Sequence, residues 1–87
     1  SNVMANGASA DSSERDQFFE EAGRFIIEKG KASAGMLQRT YKIGFNRAAR
    51  IIDQLFDAGV VGPDIGTKPR NVHMTMEEFE QYLEDHE

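Results

Sequence analysis

Four side chains near the middle of the chain have the types and spacing to read hydrogen-bonding edges: Asn46, Arg47, Arg50 and Asp53. An arginine fork matches guanine O6 and N7, and an asparagine amide matches adenine N6 and N7. Asp53 has two readings, as an acceptor from a cytosine N4 or as an i,i+3 partner that orients Arg50, with the second slightly preferred. Two arginines in the opening turns of a helix oppose its dipole, so helix stability alone does not select them. Catalytic sets are harder to find. His73 and His86 have no triad or metal-ligand spacing around them. Residues 62–68 carry glycines and a lysine but do not fit the GxxxxGK[ST] phosphate loop. Glu77–Glu78 and Glu84–Asp85 read as a solvated helix face. With no cysteine there is no disulfide, thiolate ligand or thiol nucleophile. The expectation is a binder, with no enzymatic activity and no cofactor or metal.

The 87-residue chain has a net charge of −5, which on its face disfavours a phosphate-rich partner. Its distribution says otherwise. Residues 31–52 hold five basic residues and no acid, and residues 66–76 hold two more bases and no acid. Such local windows set contact with a polyanion, whereas the total governs solubility and steering. Lys31, Arg39, Lys42, Lys68 and Arg70 are thus candidate phosphate ligands, the alternative being ordinary surface charge.

These residues need a scaffold. A composition of 39% hydrophobic and 29% charged residues suits one small globular domain. No apolar run approaches the roughly 20 residues of a membrane span. Residues 1–13 read as a lead-in or expression remnant outside the fold, without the features of a secretory signal. Phe18, Ala22, Phe25 and Ile26 predict a helix over 16–29, capped by Ser12 or Ser13 and ended by Gly30. A short helix follows from the cap Ser33 through Tyr41. Ala48, Ile51, Ile52 and Leu55 then line one side of a helix over 46–58, with Asn46, Arg50, Asp53 and Asp57 opposite. Phe45 is expected in the core, and Met36, Met74 and Met76 are expected to pack. Val60–Val61 and Asn71–Met74 read as two strands joined by a turn-rich tip containing Pro63 and Pro69, making residues 60–74 a hairpin. Thr75 and Glu78 have capping-box spacing for an acidic last helix over 76–87, with Met76, Phe79, Tyr82 and Leu83 as its apolar stripe.

Helix, short helix, amphipathic helix and hairpin form the order of a winged helix-turn-helix: mainly α, with a small β-hairpin, over residues 14–75. The first two helices would bury the inner side of the third and leave its outer side for a groove. A three-helix bundle with an appended hairpin is the alternative arrangement.

Lys31-Ala32-Ser33, Met36-Leu37-Gln38-Arg39 and the run from Tyr41 through Ile52, YKIGFNRAARII, give the chain a specific likeness. With AGVVGP and the KPR of the hairpin, it resembles the C-terminal gamma domain of the FtsK/SpoIIIE DNA translocases over residues 16–74. The resemblance implies a winged-helix domain that binds double-stranded DNA at short, polar, G-rich octamer-type motifs, several copies side by side. It also implies a cytoplasmic placement, tethered to a membrane-anchored hexameric motor at the division septum, with no membrane contact of its own. Contact with a XerD-type recombinase is implied for some members. The family's base-reading positions fall on Asn46, Arg50 and Asp53, with Arg47 beside them. Asp53 departs from the glutamate of many relatives, and its shorter carboxylate reaches less far. A different class of function, a module for protein contacts with a recombinase or another copy, is the alternative, drawn from the low net basicity and the acidic last helix. A generic transcription regulator would share the fold but normally brings a dimerisation element.

Overall fold

A computed structural model describes residues 15–87. Four helices succeed one another within the described residues: α1 (Phe19–Lys29), α2 (Ala34–Tyr41), α3 (Phe45–Asp57) and α4 (Met76–Asp85). The protein is mainly α, as expected. The expected caps Ser12 and Ser13 and the lead-in over 1–13 lie outside the described residues.

α1 begins three residues later than the periodicity suggests, because Asp16 diverts the local hydrogen bonds. Its carboxylate accepts from the Phe18 N–H at 2.9 Å, and its carbonyl from the Phe19 N–H at 2.8 Å. An aspartate that bonds its own backbone in this way competes with helix formation. Gly30 ends α1 in the left-handed region at φ 78°, its N–H reaching the Ile26 carbonyl. Ser33 caps α2 by accepting from the Met36 N–H at 3.2 Å. Lys42 closes the same helix at φ 55°, the one non-glycine residue with positive φ among those described.

α3 buries Ala48, Ile51, Ile52 and Leu55, the residues its spacing singled out. They pack with Phe19, Ala22, Ile26, Leu37, Val60 and Val61 in one core. Phe45, expected inside, is instead 60% exposed. It occupies the first residue of α3, where the helix runs past the edge of the core. Met36 is buried as expected, whereas Met76 is exposed.

After α3 the chain folds back through isolated antiparallel bridges, Val61 with Val72 and Ile65 with Lys68. The two strands expected over 60–74 are not continuous. The Gly62 N–H donates to the Asn71 carbonyl at 2.9 Å and the His73 N–H to the Val60 carbonyl at 2.8 Å, while Arg70 exchanges both backbone hydrogen bonds with Ala32, at 2.7 and 3.1 Å. Pro63 and Pro69 lack the N–H a longer ladder would need.

α4 packs on α1 and completes the core. Its N-terminus is held by the predicted capping box, Thr75 N–H to Glu78 Oε1 at 2.9 Å and Glu78 N–H to Thr75 Oγ1 at 3.1 Å. Phe79 is fully buried, its ring centroid 6.0 Å from that of Phe19. A Cβ on Gly23 would lie 2.7 Å from Cε2 of Phe79, so α1 meets the ring only by having no side chain there. Arg24 closes the edge by donating twice to Glu80, at 2.7 and 3.1 Å.

Candidate nucleic-acid interface

The buried side of α3 fixes the direction of its outer side, because residues 46, 50 and 53 lie opposite Ala48, Ile51 and Leu55. Asn46, Arg50 and Asp53 are accordingly exposed. Gly44 precedes the helix in extended backbone, without a side-chain cap. The Arg50 side chain is 61% exposed, with Nη2 at 3.9 Å from Asp16 Oδ2. That separation leaves the guanidinium accessible.

Arg47 is placed differently. Its Nε and Nη2 donate to Oδ2 and Oδ1 of Asp16 at 2.8 and 3.0 Å, and its guanidinium lies 4.9 Å over the Phe18 ring. Phe18 in turn stacks on Tyr41, with centroids 4.7 Å apart. The hydrogen bond from Arg47 holds the Asp16 carboxyl below the ordinary carboxylate range, against the opposing effect of burial, with bonding from Phe18 N–H and the two guanidinium charges adding to the same direction. In the sequence Asp16 marks only the start of a helix. Its role lay hidden because 31 residues separate it from Arg47.

The expected orientation of Arg50 by Asp53 gives way to another pairing. Asp53 meets Arg70 at 3.5 Å, while the carboxylate nearest Arg50 is that of Asp16. Arg70, a candidate phosphate ligand, is only 19% exposed; its guanidinium lies 5.8 Å over Phe56 and donates to the Gly62 carbonyl at 3.4 Å. These contacts join the 62–70 segment to α3.

The remaining basic residues are exposed and fall in distinct places. Lys68 borders a groove of about 390 Å³ between the 64–70 segment and α3, shared with Phe45, Ala49 and Ser33. Lys31 and Arg39 border a separate groove of about 250 Å³ with Lys29 and Phe25. Lys42 stands at the turn between α2 and α3. A non-glycine residue in the left-handed region costs about 1 kcal/mol. Lys42→Gly should therefore raise stability by about 0.5–1 kcal/mol in denaturant titration, since glycine adopts this conformation freely.

No helix among the described residues is long and apolar enough to cross a membrane. The family model described as Ftsk gamma domain matches residues 13–75. Over 70 residues the chain is 53% identical to the DNA translocase FtsK of Streptococcus pyogenes serotype M3, covering 80% of this chain and 8% of that protein. It is 55% identical over 62 residues to the DNA translocase FtsK of Streptococcus agalactiae serotype V, covering 71% of this chain and 8% of the relative. The corresponding protein of Listeria monocytogenes serovar 1/2a is 49% identical over 59 residues, 68% of this chain and 8% of the relative. The chain thus spans about a twelfth of these relatives, a stretch matching the gamma domain and not the motor. The resemblance carried by the run around Asn46 is one of membership: this chain belongs to the Ftsk gamma domain family.

Proposed function

We propose that this domain binds double-stranded DNA as a winged helix, with α3 in the major groove and the 62–70 segment as its wing. It reads a short, polar, G-rich motif and so orients a DNA-pumping motor during chromosome segregation and cell division. The observation that carries this reading is the exposed pair Asn46 and Arg50 on the opening turns of α3, in a stretch rich in bases and free of acids. A recognition helix meets base edges with its N-terminal residues. Arg50 takes a guanine, Asn46 an adenine, and Arg47 and Asp53 flank them. Lys31, Arg39, Lys42 and Lys68 supply the phosphate contacts, while Arg70, held by Asp53 and Phe56, fixes the 62–70 segment to α3.

Phosphate contacts and base contacts separate cleanly by experiment. Lys68→Ala should weaken binding to selected and random duplexes alike, and lower the dependence of log affinity on log salt by about 0.9. Fluorescence anisotropy with both duplexes over a salt series measures this. Loss of affinity for the selected duplex alone would mean that Lys68 reads sequence, contrary to the proposed role.

A further inference from the structure

We infer that Asp16 is a positioning residue for base recognition: it fixes Arg47 as a brace and leaves Arg50 as the arginine that reads. This inference rests on the DNA-reading function proposed above. Asp16 precedes α1, yet it is bound to α3 at two levels. Its carboxylate holds Arg47 through the fork hydrogen bonds, and its backbone N–H donates to Gln54 Oε1 at 3.0 Å, two turns further along α3. The side chain is only 5% exposed.

Capping α1 does not explain this arrangement, because the Phe18 N–H requires one carboxylate oxygen and no arginine. The carboxylate instead sits between two guanidiniums one helical turn apart. Like charges at that spacing repel, and a carboxylate shared between them removes the repulsion and sets their separation. The bidentate grip occupies the Nε–Nη2 edge of Arg47, one of the two edges an arginine can present to guanine, and fixes the orientation of its guanidinium. Arg47 therefore contributes geometry, while Arg50, at 3.9 Å from Oδ2, is guided without being captured.

A second consequence concerns charge. Asp16 cancels one positive charge beside the reading face, which restrains binding to arbitrary DNA. Loss of this carboxylate should thus do what a merely structural lesion does not: strengthen binding to random duplex while weakening discrimination.

The test compares the intact domain with Asp16→Asn, which keeps an acceptor for the Phe18 N–H but removes the charge. The probes are a duplex selected by the wild-type domain from a randomised pool and its scrambled counterpart, measured over a salt series. Asp16→Asn should make the salt slope on scrambled duplex steeper by about 0.9. It should lower the selected-to-scrambled affinity ratio by about tenfold, within the range of one bidentate base contact. Asp16→Asn combined with Arg47→Met leaves no unpaired buried charge and so protects folding. In that double variant the salt slope should return to the wild-type value while the ratio stays low. An unchanged ratio in either folded variant, or a proportional loss on both duplexes, would overturn the inference. A wild-type domain that selects no duplex would instead remove the DNA-reading function, and this inference with it.

Discussion

Phe79→Ala should destabilise the domain by about 3–5 kcal/mol, the range for emptying a fully buried aromatic site. For a chain of this size that loss is a large part of the total stability, about 5–15 kcal/mol. Thermal unfolding should shift down by roughly 12–40 °C, at about 4–8 °C per kcal/mol for a domain of this size. The reason lies in the α1–α4 contact. The Phe79 ring fills the space over Gly23 and packs beside Phe19, so its removal opens a cavity that neither helix can close without moving the other. The family match ends at residue 75, yet the core continues through Phe79 and Leu83. A change below about 1 kcal/mol, the scale of surface substitutions, would instead make α4 an appendage.

Arg50→Ala should abolish most sequence discrimination while leaving the fold intact. A bidentate arginine–guanine contact contributes about 1–3 kcal/mol of discrimination, so the selected-to-scrambled ratio should fall about 5- to 150-fold. Affinity for scrambled duplex should change little, because other cations remain. Stability should stay within about 0.5 kcal/mol, as the side chain is largely exposed and its contact with Asp16 is long. Competition binding with both duplexes, beside a thermal melt, separates these effects. An unchanged ratio in a folded variant would exclude Arg50 as the reader.

Local signals in the sequence carried much of this structure. The i, i+3, i+4 spacing of Ala48, Ile51, Ile52 and Leu55 determines the buried side of α3, and hence the exposed positions of Asn46 and Arg50. Ser33, Gly30 and the Thr75–Glu78 pair mark helix ends through their own hydrogen bonds or backbone freedom. Pairings across long separations left no such trace. Asp16 reaches Arg47 and Arg70 reaches Asp53 only because the core brings α1, α3 and the 62–70 segment together. The same limit applies to Phe45, whose helical phase suits a buried residue but whose place at the end of α3 lies beyond the covering elements. The expected strands are present only in part: Val61 bridges Val72 and residues 60 and 62 bond to 73 and 71, whereas the bridge from Arg70 to Ala32 joins segments far apart in sequence and left no local signal.

Titration of the 15N-labelled domain with its selected duplex, followed by amide chemical shifts, tests most directly that α3 faces DNA. The largest perturbations should fall on residues 44–53 and on 66–70, with the Arg50 side-chain Nε–H signal shifted and slowed in exchange on binding. Perturbations centred on α4 and the outer side of α1, with residues 44–53 unmoved, would contradict it.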